Sequence, residues 1–206
     1  MDMHELRQAL ALAVRELYRA GLITPVGGNV SCRAGRGYLI TPSGRHKGRL
    51  AAKDMVWLDA GGRPVGLGKP SVEAGLHLAI YAKQPEAGAV VHSHGPLSIL
   101  LGVTGTVISP VSLESVAFVD LPRVPFCLPG SEELAHAAGD ALLHSPAALL
   151  VNHGAITVGS CLEKAVTLSH ALEAAARLSL CLHLLKLPAT RLEPDALWLL
   201  DSYGIR

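Results

Sequence analysis

The sequence predicts an α/β protein in which a partly antiparallel sheet carries helices packed on it. Three observations predict this. Short apolar runs of strand length recur between turns rich in Gly, Pro and Asn, two pairs of them at hairpin spacing. Longer stretches with helical periodicity stand among these runs. No internal repeat or low-complexity linker divides the 206 residues, so residues 1–206 suit one domain.

The elements follow in order. Leu6, Leu10, Leu12, Ala13, Leu17 and Ala20 form a helical stripe over residues 3–20, ended by Gly21. Residues 24–28 are a loop. Residues 29–33 and 38–40 read as a hairpin about Ala34-Gly35-Arg36-Gly37, and Thr41-Pro42-Ser43-Gly44 is a turn. Residues 55–58 and 64–67 flank Asp59-Ala60-Gly61-Gly62 as a second hairpin. A helix starts at Pro70-Ser71, with Ser71 as N-cap, and runs to Lys83. Residues 88–94 are a strand and 96–102 a short helix. Residues 106–128 read as short strands with loops. Helix returns at 131–143, strands at 147–152 and 155–158, a long helix at 162–185 and a short one at 194–203.

Composition excludes several classes. Half the residues are apolar, enough for a sizeable core. The formal net charge is +1, and no Lys/Arg run exceeds two, so nucleic acid is not an expected partner. The basic turn Arg45-His46-Lys47-Gly48-Arg49 suits a phosphate or carboxylate better than a duplex. Cys32, Cys127, Cys161 and Cys181 lack C-x-x-C spacing and read as buried or reduced thiols of a cytoplasmic protein. The N-terminal residues do not resemble a secretory signal, and no stretch approaches the ~18 apolar residues of a membrane span.

The chemistry concentrates at strand ends. His92-Ser93-His94 closes the run Ala89-Val90-Val91 and is cut off by Gly95-Pro96. Residues two apart on a strand share a face, so both imidazoles can reach one ion. His153, in Asn152-His153-Gly154 after another apolar run, completes a set of three. Three ligands with an open position suit a catalytic zinc, whereas structural sites are usually closed by four. Glu73, expected in the first turn of a helix, suits a general base beside a metal, or a fourth ligand displaced by substrate. His77 follows four residues later on the same helix face, either orienting Glu73 or packing against the sheet, and packing is the preferred reading. Gly27-Gly28-Asn29, Thr41-Pro42-Ser43-Gly44 and the helix start at Ser71 are candidate anion nests, although spacing does not join them into one cradle.

Six motifs occur in one order: Gly-Gly-Asn-Val-Ser at 27–31, Ile-Thr-Pro-Ser-Gly at 40–44, Lys-Pro-Ser-x-Glu at 69–73, Ala-Val-Val-His-x-His at 89–94, Pro-Gly-Ser-Glu-Glu-Leu-Ala at 129–135 and Asn-His-Gly at 152–154. Together they resemble the class II aldolase/adducin family, most of all its fuculose-phosphate aldolase branch. The resemblance implies a three-layer α/β/α sandwich around a mixed, mainly antiparallel sheet, and a homotetramer with active sites at subunit interfaces. It implies one zinc per subunit on His92, His94 and His153. It implies Glu73 as acid/base, and Gly28, Asn29, Ser43, Gly44 and Ser71 around the phosphate of a ketose 1-phosphate. The implied reaction is cleavage to dihydroxyacetone phosphate and an aldehyde.

Departures from that branch accompany the match. Val26 and Val72 stand where it often has hydroxyl side chains, with Arg45 or Lys47 as possible compensation. Leu113 replaces a tyrosine that donates a proton to the leaving aldehyde. Glu114 beside it, and Tyr203 reaching from a neighbouring subunit, are the candidate replacements. Ser43-Gly44-Arg45-x-Lys47-Gly48-x-Leu50 resembles a methylthioribulose-phosphate dehydratase branch, with Glu114 as its acid/base. A sugar-acid decarboxylase and a non-catalytic adducin-like module are further alternatives. An epimerase is disfavoured, because that branch usually carries Asp at the position of Glu73.

Overall fold

The computed structural model describes residues 2–186 and 188–192. Its centre is an eight-stranded sheet in the order β4-β3-β2-β1-β5-β8-β7-β6. The strands are β1 (Asn29–Ala34), β2 (Gly37–Ile40), β3 (Val56–Leu58), β4 (Pro64–Val65), β5 (Ala89–Ser93), β6 (Arg123–Val124), β7 (Ala147–Leu150) and β8 (Gly154–Gly159). Neighbours are antiparallel except β6 and β7. The helices are α1 (Met3–Arg19), α2 (Ala74–Lys83), α3 (Pro96–Thr104), α4 (Leu113–Val116), α5 (Glu132–Ala141) and α6 (Leu162–Leu185).

Period-2 patterning sorts the strand residues into two layers. On β5, Ala89 and Val91 pack with Leu10, Val14 and Leu17 of α1, whereas Val90 packs with Leu76 and Ile80 of α2 and Leu134 of α5. On β7, Leu149 joins Leu168, Leu172 and Ala176 of α6, whereas Ala148 and Leu150 face α2 and α5. Helices therefore cover both faces, giving the expected α/β/α sandwich.

Strand β1 departs from that apolar rule on one face. Val30, Cys32 and Ala34 pack under α1. Asn29 and Ser31, also buried, form hydrogen bonds toward α2, and Arg33 reaches the carbonyls of Tyr81 and Ala87. A file of polar side chains thus runs inside the protein.

Three element boundaries differ from the sequence reading. The helix expected from Pro70-Ser71 begins at Ala74: residues 71–74 first close a turn of their own, with the Ala74 N–H donating to Ser71 O (3.0 Å), while the Ser71 N–H donates to Thr41 O (3.0 Å). Residues 106–128 contain α4, capped by Ser112, besides the short strand β6. Four residues are too few to show a helical period in sequence. The helix expected at 194–203 lies outside the described residues. The four cysteines are free thiols; Cys32 and Cys127 are buried, Cys161 and Cys181 exposed. Among the described residues no helix is long and apolar enough to cross a membrane.

Candidate active site

Because neighbouring strands run antiparallel, the end of β5, the end of β7 and the starts of β1 and β8 meet at one edge of the sheet. His92 is the last but one residue of β5, and His94 follows the strand directly. His153 sits in the turn between β7 and β8. That turn is closed by the His153 N–H donating to Leu150 O (3.0 Å) and by Asn152 at φ 61°, a left-handed conformation that Asn tolerates. Gly154 then lets the backbones touch, since a Cβ there would lie 2.2 Å from Ser93 O.

The three imidazoles converge. His92 Nε2 lies 3.0 Å from His94 Nε2 and 3.2 Å from His153 Nε2. His92 Nδ1 is 3.1 Å from Ala155 O, which places its proton on Nδ1 and leaves Nε2 a bare lone pair. One lone pair accepts one proton, so neutral rings cannot satisfy both of these contacts by hydrogen bonding. A cation can. The spacing is close to the ~3.3 Å edge of a tetrahedron of nitrogens at about 2.0–2.1 Å from zinc. Burial holds all three histidines below the usual imidazole range, with mutual repulsion adding to it at His92 and His94. They are thus neutral near pH 7, the form that ligates metals. The donor set fits a divalent transition metal.

Glu73 occupies the N-cap position of α2, one residue before the helix rather than in its first turn, and its side chain does not cap. It turns to the histidines instead: Oε2 is 3.4 Å from His92 Nε2, and Oε1 is 3.5 Å from His153 Nε2. Asn29 Nδ2 donates to Oε2 (2.8 Å), whereas the buried Oε1 has no hydrogen-bond partner among the described residues. His77, read from sequence chiefly as packing, donates from Nε2 to Asn29 Oδ1, and its Nδ1 lies 2.7 Å from Ser31 Oγ. Ser31 and Tyr81 thereby join the site, and Asn29, expected around the phosphate, also holds Glu73. The sequence signal for Asn29 was a turn, with nothing to indicate its partner 48 residues away.

The three candidate phosphate loops lie side by side. Thr41 exchanges hydrogen bonds with Val30 through its backbone N–H and its Oγ1, Ser43 N donates to Lys69 O, and Ser71 N donates to Thr41 O. Gly28 has φ 79° and Gly44 φ 65°, so both hold backbone turns closed to most side chains. Gly27 abuts His94: a Cβ there would lie 2.6 Å from its Nδ1. Asn29 keeps one Nδ2 proton beyond the bond to Glu73. Val26 and Val72 are 69% and 62% exposed. Arg45 is exposed and paired with Asp54, whereas Lys47 is buried and donates to Pro42 O.

Two candidates do not join the cluster. Glu114 is exposed in the first turn of α4, which packs on α6, and among the described residues it does not join the group formed by His92, His94 and His153. Tyr203 lies outside the described residues.

Residues 8–180 match the model of the class II aldolase and adducin N-terminal domain. A 5-methylthioribulose-1-phosphate/5-deoxyribulose-1-phosphate aldolase of Rhodospirillum rubrum is 38% identical over 167 residues, 80% of this chain and 75% of that one. A methylthioribulose-1-phosphate dehydratase of Methylococcus capsulatus is 50% identical over 91 residues, 43% of this chain and 45% of its own. The solved structure of an L-fuculose 1-phosphate aldolase superimposes with a TM-score of 0.88 over 97% of this chain and 96% of that one, at 23% identity, a likeness of fold. The sequence motifs, the sandwich and these relatives agree: the chain belongs to the class II aldolase and adducin family.

Proposed function

We propose that this single-domain chain is a zinc-dependent aldolase that cleaves a ketose 1-phosphate to dihydroxyacetone phosphate and an aldehyde. The substrate class includes fuculose 1-phosphate and the 5-deoxy or 5-methylthio ribulose 1-phosphates named by its relative. The observation that carries this is Glu73, a buried carboxylate beside three converging imidazoles with one oxygen tied and the other free.

His92, His94 and His153 would hold the cation. When bound, it supplies Lewis-acid polarisation of the substrate carbonyl. The rest of the chemistry falls to the chain. Asn29 fixes Glu73 through Oε2, so Oε1 is the oxygen that carries the proton. In the cleavage direction the hydroxyl that becomes the aldehyde gives its proton to the residue proposed in the place of the branch's tyrosine, Glu114 or Tyr203, the carbon–carbon bond breaks, and a proton on Oε1 goes to the carbon that becomes the hydroxymethyl group of dihydroxyacetone phosphate; in synthesis each transfer runs in reverse. Gly28, Asn29, Ser43, Gly44 and Ser71 lie on loops that face one another and would hold the phosphate, with Lys47 buried under the same turn. In the full reading the enzyme is a cytoplasmic homotetramer, with Glu114 or Tyr203 contributed across a subunit interface.

The test is proton exchange. Zinc-loaded protein in D2O should exchange one hydroxymethyl proton of dihydroxyacetone phosphate stereospecifically, and Glu73→Gln should not. Exchange that persists in Glu73→Gln would remove the base assignment.

A second reading, dehydration of methylthioribulose 1-phosphate at the same site, is favoured by the buried Lys47 in a dehydratase-like turn and by the dehydratase relative. Dehydration product without aldol cleavage, lost in Glu114→Ala, would establish it. A chain that takes up no stoichiometric zinc would instead fit a non-catalytic module.

A further inference from the structure

Behind Glu73 stands a buried file of side chains, of which only Asn29 has a part in the reaction proposed above. Asn29, Ser31, His77 and Tyr81 are all buried, on β1 and α2. Their polar atoms connect in one line: Tyr81 OH to Ser31 Oγ (2.8 Å), Ser31 Oγ to His77 Nδ1 (2.7 Å), His77 Nε2 to Asn29 Oδ1, and Asn29 Nδ2 to Glu73 Oε2 (2.8 Å).

The line has one direction. An ionised carboxylate only accepts, so the Asn29 amide N–H faces Glu73 and its carbonyl faces His77. That carbonyl also only accepts, so the His77 proton sits on Nε2. Nδ1 is then a lone pair, which takes the Ser31 hydroxyl proton. The Ser31 oxygen in turn takes the Tyr81 hydroxyl proton. Burial favours the neutral forms of His77 and Tyr81: it pushes the His77 pKa down to about 3 and the Tyr81 pKa above the usual phenol range. The far end is anchored. The Tyr81 ring stacks on Tyr38 at 4.7 Å, the Arg33 guanidinium lies 4.9 Å from its centre, and Arg33 Nη2 donates to Tyr81 O (3.0 Å).

An asparagine amide has two orientations related by a half-turn of its terminal torsion. At Asn29 the wrong one places a carbonyl oxygen against the Glu73 carboxylate. The Glu73 carboxylate disfavours it at one end and the His77 Nε2–H group, which only donates, disfavours it at the other; the Ser31 hydroxyl accommodates that tautomer by donating to Nδ1.

We propose that His77 is a positioning residue: as the neutral Nε2–H tautomer it sets the orientation of Asn29, which holds Glu73 Oε2 and leaves Oε1 free for proton transfer. This deepens the aldolase reading and rests on Glu73 being the base. Polar residues behind a metal centre commonly alter affinity or activity about 10–100-fold when lost. Here the loss falls on turnover, because His77 reaches the base rather than the imidazole ligands.

The first test needs no variant of the site's ligands. In zinc-loaded protein with ¹⁵N-labelled histidine at pH 7, one neutral ring should show the Nε2–H pattern and vanish from the spectrum of His77→Gln. An Nδ1–H or doubly protonated ring at that position would overturn the proposal. The second test is kinetic. His77→Gln keeps a donor and an acceptor and should hold kcat within about threefold. His77→Phe keeps neither and should lower kcat about 10–100-fold with zinc content unchanged, any rise in KM through the phosphate contact of Asn29 being smaller. A folded His77→Phe protein with wild-type kcat would overturn the proposal while Glu73→Gln still reported on the base. Loss of zinc, or a change confined to KM, would also overturn it, since His77 would then serve the metal or the substrate. The tautomer measurement stands even if His77→Phe fails to fold.

Discussion

Asn29 of β1 stands directly opposite His92 of β5 in the sheet, and both side chains reach the same carboxylate, that of Glu73. A residue pair fixed by backbone register thus delivers one positioning group and one metal-ligand candidate to the N-terminus of a helix 44 residues along the chain from Asn29. The site is precise because sheet hydrogen bonds, rather than a loop, set that spacing.

Glu73→Gln preserves shape and removes the proposed proton carrier. Its kcat should fall about 10²–10⁴-fold, the usual worth of a positioned general acid or base, with bound zinc unchanged. Steady-state cleavage and metal analysis on the same sample check both halves.

Gly27→Ala tests the close approach of the Gly-Gly loop to His94. The added Cβ would lie 2.6 Å from the His94 ring, so the imidazole has to move. Zinc affinity should fall about 10–100-fold by competition titration, comparable to other disturbances behind metal ligands. The thermal midpoint of the metal-free protein should move far less.

Asn152→Gly should be tolerated and Asn152→Val should not. Position 152 has φ 61°, where a β-branched side chain costs about 1–2 kcal/mol and Gly costs little. Denaturant unfolding measures the difference. Because this turn carries His153, Asn152→Val should also weaken zinc binding.

His77 makes the metal-free protein acid-sensitive. Burial lowers its folded pKa to about 3, well below the ~6.5 of an unfolded histidine, so the unfolded chain binds the extra proton first. Stability is complete above about pH 6.5 and falls as the pH drops toward 3, by up to about 1.4 kcal/mol per pH unit from this group. Guanidinium titrations between pH 7 and 4 should show a shallower slope in His77→Gln.

The histidine set was legible because strand periodicity and strand ends leave a mark in sequence. His92 and His94 share a face by a spacing of two, and His153 follows an apolar run. The phosphate loops were legible as loops; their adjacency came only from pairing, through Thr41 to Val30 and Ser71 to Thr41. Glu73 was legible as a carboxylate near a helix start, but inside the first turn rather than at the N-cap. Pro70-Ser71 looks like a cap, yet residues 71–74 close a separate turn before the helix begins. His77 and Asn29 were the hardest. Asn-x-Ser-x-Arg on β1 reads equally well as a solvent-facing edge, and only the covering helix turns it into an interior file. Glu114 was chosen for its neighbour Leu113, and the single chain leaves it exposed on α4.

The polar file on β1 also fixes how the strand can be threaded. A slip of one residue against β5 would turn Asn29, Ser31 and Arg33 into the apolar layer beneath α1. It would press Val30, Cys32 and Ala34 against the imidazole of His77 and the hydroxyl of Tyr81. Every slip by an odd number of residues would therefore bury polar groups without partners, at about 1–3 kcal/mol each. The side chains proposed to aim Glu73 also fix which face of the central strand meets each helical layer.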